Sequence, residues 1–174
     1  NNGGKLITCG AGASALVAME IAGQAQETGI PVMAFNNNFS TAQPISFAKG
    51  AFEDELSLSK YFANAVNPND VVLGVSASGG TGFVFNFLNI AKSKGAKTIS
   101  VLENSDTPMR YYSDVIIKSE AKPEGPSSSK VQIAHLALGH ALIITIADIR
   151  GITAEKSIEY MLPEICLNKK MGIK

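Results

Sequence analysis

The chain has no tryptophan, two cysteines in 174 residues, and no surplus charge of either sign: 15 Lys and Arg balance 15 Asp and Glu. Each scarcity removes a class of protein. Without a basic excess or a run of like charges, nothing offers the electrostatic grip that a phosphate backbone requires, so no nucleic-acid partner is expected. Cys9 and Cys166 lie far apart in apolar settings. That fits buried thiols in a reducing, cytoplasmic compartment, and leaves a long-range disulfide open. No secretory leader is recognisable at the start. The longest apolar run is broken by His140 and Asp148, so no membrane span is expected. The two histidines and two cysteines form no cluster with metal-ligand spacing.

What is present is a globular composition, with 45% hydrophobic and 17% charged residues. The length suits a single domain, residues 1–174. NNGGKL runs almost straight into a strand, and this abrupt start suggests that an upstream segment is missing.

The organising stretch is Asp70 to Val84, DVVLGVSASGGTGFV. It predicts a buried strand, Val71 to Val75, then a turn, Ser76-Ala77-Ser78-Gly79-Gly80-Thr81, then a helix. Backbone N–H groups at a helix start are unpaired and attract anions. Ser76, Ser78 and Thr81 add hydroxyl donors, and the small residues let the backbone close around a guest. The plain alternative is a tight turn capped by one hydroxyl. One cap does not need three hydroxyls and two glycines in six residues, so the pattern points to a phosphate cradle without a lysine.

A second strand–glycine turn–helix unit precedes it: Lys5 to Cys9, then Gly10-Ala11-Gly12-Ala13-Ser14, then a helix to Glu27 with Ser14 as its expected N-cap. A dinucleotide fingerprint would need a third glycine where Ala15 stands, and an acid where Asn36, Asn37 and Asn38 follow the next strand. No nicotinamide cofactor is therefore expected. Further strands are predicted over Val32–Phe35, Thr98–Leu102 and Asp114–Ile117, and further helices over Phe52–Val66 and Gly82–Lys94. Thr41 to Gly50 is ambiguous. A Pro/Gly/Ser loop, 119–129, leads to a long helix ending near Arg150, capped by Ser128 or Ser129. It is apolar almost all round and so expected to be buried in the protein or at a subunit contact. Thr153 caps a last helix to about Leu162. Alternating strands and helices give an α/β fold, a parallel sheet of about five strands covered on both faces. Both glycine turns then lie at strand carboxyl ends and can share one crevice.

Two glycine–serine turns, a Pro/Ser loop and an apolar C-terminal helix resemble the sugar isomerase (SIS) domain. GVSASGGTGFV, followed by AKSKGAKTISV, is similar to that family's phosphosugar-binding segment, and SKVQIAHLALGH to the RIQExHxxxxH-type helix of phosphoheptose isomerases. The SASGGT turn and Gly125-Pro126-Ser127-Ser128 also resemble N-acetylmuramic acid 6-phosphate etherases. The resemblance covers nearly the whole chain. It implies a three-layer, flavodoxin-like doubly wound fold with a central five-stranded parallel sheet, lacking the N-terminal helical segment of relatives. It implies a phosphorylated sugar as ligand, bound by Gly12, Ser14, Ser76, Ser78, Gly79, Thr81 and Gln132. It implies a homodimer or homotetramer whose crevices are completed by a neighbour. Gln132 and His140 occupy the positions that line the family's active site and can hold a zinc.

The sequence also departs from that pattern. Phosphoheptose isomerases carry a His and a Glu six and ten residues after the first-turn Ser, where Glu20 and Gln24 stand here. That Glu is the family's base, and Gln24 cannot take a proton. His140 is then the best acid or base, since imidazole titrates nearest neutrality, with Glu20 as second candidate. His135 reads as a core histidine. No resident metal is assigned, because Gln is a poor zinc ligand. Three readings stay open: a sugar-phosphate isomerase, an etherase-like lyase, and a non-catalytic sugar-phosphate sensor or partner-binding protein.

Overall fold

A computed structural model of the chain describes residues 3–37, 55–122 and 129–161. Five parallel strands form one sheet in the order β2-β1-β3-β4-β5. They are β1 (Leu6–Ala11), β2 (Val32–Asn37), β3 (Val71–Ser76), β4 (Lys97–Leu102) and β5 (Val115–Lys118). The helices are α1 (Ala13–Glu27), α2 (Glu55–Ala63), α3 (Gly82–Ser93) and α4 (Ser129–Ile149), with a 3-10 turn at Pro108–Tyr112. A further helical stretch covers 154–161, and the Thr153 hydroxyl accepts from the Lys156 amide at its start, as expected.

The period of two along each strand sorts the core into two layers. Leu6, Leu73, Val75 and Val101 face α1 and α4, where Val17, Ala18, Ile21 and Ile143 meet them. Ile7, Cys9, Val72 and Leu102 face the other way, against α2, α3 and Met109. The predicted doubly wound α/β sandwich is therefore the observed one. Cys9, in the middle of β1, is completely buried, and that burial pushes its thiol pKa far up.

The strand order reverses between β1 and β3. The chain leaves β1 for β2 on one side and returns to β3 on the other. In such sheets the reversal opens a crevice beyond the strands' carboxyl ends. Gly10 pairs with Val75 across β1 and β3, so the two glycine turns emerge side by side at that point.

Two local expectations need correction, and the expectation for α4 narrows. The N-cap of α1 is Gly12 (φ 59°, ψ −133°) with no side-chain cap bond, and Ser14 sits inside the helix. The strand expected to stop at Phe35 continues through Asn36 and Asn37, because pairing with Gly10 and Ala11 of β1 continues. Among the described residues, α4 is fully covered along one stripe only. Its buried residues are Val131, His135, Gly139, Ile143 and Ala147, a single stripe at four-residue spacing, while Ile133, Ile144 and Ile149 are 69%, 63% and 78% exposed. By length and composition alone α4 is apolar enough to cross a membrane. Here it packs lengthwise on α1 and against β4. The Thr41–Gly50 segment, the start of the Phe52 helix, most of the Pro/Ser loop and Cys166 lie outside the described residues.

Candidate functional site

The second turn is braced by its own hydroxyls. Ser76, 1% exposed at the end of β3, accepts a hydrogen bond from the Gly79 amide at 3.1 Å and shares another with the Thr81 hydroxyl at 2.9 Å. Ser78 accepts from the Gly80 amide at 3.2 Å. Gly79 has φ +66°, and a Cβ there would collide with the Thr107 side chain. The Gly79 carbonyl accepts from the Met109 amide at 3.3 Å, which ties the turn to the 3-10 element behind it. Ser78 and Gly80 are exposed and Thr81 is half-buried. Thr81 is the N-cap of α3, and no side chain caps that end. Its first amides are thus left for a ligand at the mouth of the turn. The geometry is that of an anion cradle, with Ser76 and Thr81 shaping the loop.

The first turn is braced from a distance. A Cβ on Gly10 would lie 2.5 Å from the Ser14 carbonyl oxygen, so β1 and α1 meet without room for a side chain. The buried Ser14 hydroxyl accepts from the Gln132 side-chain amide at 3.1 Å, 118 residues away on α4. Ser14 and Gln132 therefore meet at the start of α1.

Glu20 and His140 form a third group. His140 Nε2 lies 3.6 Å from Glu20 Oε1, with side chains 31% and 53% exposed. That is too long for a hydrogen bond. The pair lies further down the seam between α1 and α4: six residues past Ser14 and eight past Gln132, about 9 and 12 Å along the helix axes. The His140 Nε2 itself is buried, without a hydrogen-bond partner among the described residues, while Leu16, Met19, Ile133 and Ile144 on the same two helices are exposed. The chain thus joins its candidates in pairs, and sets the Glu20–His140 pair apart from the two turns.

A resident zinc does not fit these donors. Among the described residues no three His, Cys, Asp or Glu side chains cluster, and the Gln132 amide is engaged by Ser14. Sequence reasoning missed Thr107, which fills the space Gly79 leaves; only the Thr-Pro step before the 3-10 turn hints at it. His135 is fully buried, and neither ring nitrogen has a hydrogen-bond partner among the described residues. Desolvation lowers its pKa to about 4, against an opposing pull from the nearby Leu102 backbone.

The SIS domain family model matches residues 1–103. A phosphoheptose isomerase of Serratia proteamaculans is 31% identical over 147 residues, covering 81% of this chain and 72% of that one. A protein of Escherichia coli CFT073 superposes with a TM-score of 0.71 at 21% identity, over 91% of this chain and 77% of that one. The Vibrio vulnificus NanR protein complexed with ManNAc-6P gives 0.68 at 16% identity, over 97% and 56%. At these identities the two structures speak for the fold.

Proposed function

Since the chain belongs to the SIS domain family, we propose that it is a sugar-phosphate isomerase of the phosphoheptose isomerase type. The observation that carries this reading is the self-braced turn at 76–81, with the uncapped start of α3 above it, at the point where strand order reverses. The phosphate sits on the α3 amides and the exposed Ser78 hydroxyl, with Ser76, Gly79 and the half-buried Thr81 shaping the turn around it. Gly12, Ser14 and Gln132 line the neighbouring wall and hold sugar hydroxyls.

Aldose–ketose exchange moves one proton between C1 and C2 through an enediol, and a second between their oxygens. His140 supplies the acid and base, with the Glu20 carboxylate 3.6 Å from its Nε2. Leu16, Met19, Ile133 and Ile144 on the same two helices are exposed, and the pair serves the crevice of a neighbouring copy. Those apolar residues are the contact, so the working form is a homodimer or homotetramer. A light-scattering mass equal to one chain would count against that assembly. Residues 1–174 act as one phosphosugar-binding domain in the cytoplasm, where Cys9 stays a thiol.

The test is turnover of sedoheptulose 7-phosphate, fructose 6-phosphate and N-acetylmuramic acid 6-phosphate by purified protein. Isomerisation of a ketose phosphate is expected. His140→Gln should lower kcat by about 10²–10³-fold with KM little changed. Cleavage of the lactyl ether of N-acetylmuramic acid 6-phosphate, with the phosphate ester left intact and no isomerisation, would make the protein an etherase-like lyase.

Gln24, standing where relatives carry their base, favours a second reading: a sensor that binds sugar phosphate without converting it. NanR, complexed with ManNAc-6P, has the same fold. Tight binding with no turnover of any of the three esters would select that reading.

A further inference from the structure

At the opposite end of the sheet lies a cavity of about 270 Å³. Its walls are apolar: Leu6, Val71 and Ile99 near the strand starts, and Leu142, Ile143 and Ile146 from the lower half of α4. It is separated from the crevice by the length of β3, about 16 Å. The hollow is half open to solvent, and small-molecule sites are apolar hollows with few polar groups.

Two cations stand at its rim, Lys5 and Arg150. Lys5 is already matched, its ammonium 2.6 Å from the buried Asp70 carboxylate. Burial alone would raise the Asp70 pKa, but hydrogen bonds from Lys5 and Asn67 and the Lys5 charge hold it below the usual range, so the pair is ionised. Arg150 has no carboxylate partner among the described residues. An apolar hollow with one unmatched positive charge is complementary to an apolar chain with one negative end.

We infer that this cavity binds a small amphipathic monoanion, a medium-chain monocarboxylate, with its alkyl chain between the strand starts and α4 and its carboxylate on the Arg150 guanidinium. Arg suits the role because its planar fork pairs with both carboxylate oxygens. The site is independent of the phosphosugar reading and is assayed without any sugar phosphate.

Calorimetric titration of the full chain with hexanoate, hexan-1-ol and hexylamine tests it. Hexanoate should bind at least tenfold more tightly than hexan-1-ol, and hexylamine more weakly than both. Arg150→Gln should bring hexanoate down to the hexan-1-ol level, Arg150→Lys should retain most of the preference, and Ile146→Phe should abolish binding of both. Hexanoate binding no tighter than hexan-1-ol, or unchanged in Arg150→Gln, would overturn the inference. So would a photoreactive residue at position 146 that cross-links to residues 162–174 or to a second copy, since the hollow would then be filled by protein.

Discussion

The two glycine turns have the same outline, a strand, a tight turn and a helix, and they are held in opposite ways. The turn at 76–81 is closed from within by side-chain bonds between residues no more than five apart, Ser76 to Gly79 and Thr81, and Ser78 to Gly80, and the Met109 amide ties it to the 3-10 element. The turn at 10–14 has no side-chain cap, and its hydroxyl is engaged by Gln132 from the far end of the chain. A locally closed loop keeps its shape whatever the helices do. A loop closed from afar keeps its shape only while α4 stays seated. The first suits a fixed phosphate grip, and the second ties the sugar-facing wall to the helix that also carries His140.

That contrast can be broken most forcefully at Gly79. A β-branched residue at φ +66°, pressed on Thr107, is strained in both backbone and packing. Gly79→Val should cost about 3 kcal/mol of stability and lower sugar-phosphate affinity by about 100-fold or more, read by urea denaturation and calorimetry. Comparable affinity in that variant would show that the turn does not hold the phosphate.

Acid should loosen the other turn selectively. His135 lies in the buried stripe of α4, and its pKa of about 4 is below the ordinary 6.5. Between those values the unfolded chain binds the extra proton, so native stability is full above pH 6.5 and falls as pH drops toward 4. The expected loss is about 2–3 kcal/mol, and His135→Leu should flatten that slope. Hydrogen exchange at pH 4.5 should quicken in α1 and α4 before residues 76–81.

Smaller effects separate the two braces directly. Ser76→Ala removes a buried acceptor from the Gly79 amide and should cost about 1–2 kcal/mol. Ser14→Ala and Gln132→Ala should each cost about 1 kcal/mol, and a double-mutant cycle should give a coupling of about 0.5–1 kcal/mol. Ser76→Ala should couple to neither, since its hydroxyl is bonded within its own turn.

Local features were legible in the sequence and long-range ones were not. The strand runs, the SASGGT turn and the Thr153 cap announce themselves through neighbouring residues. Ser14 reads as a cap because hydroxyls near helix starts usually are caps. Nothing nearby reveals that its partner is Gln132. Asn36 and Asn37 are poor strand formers, yet β1 offers them a pairing edge that outweighs propensity. Hydropathy marked α4 as a helix that must be covered, but could not say that α1 and the sheet cover only one stripe. The family resemblance supplied Gln132 and His140 as site residues. The placement of His140 against Glu20, away from the turns, follows from how two packed helices line up and has no signature in either segment alone.

Cys9 offers a practical handle. It lies between two strands, shut off from solvent, with its sulfur held in the unreactive protonated form. A thiol-specific dye can reach it only when the sheet itself comes apart. In a Cys166→Ser background, the labelling rate is a stopwatch for whole-molecule opening, and any ligand that slows it announces its own binding without a chemical assay.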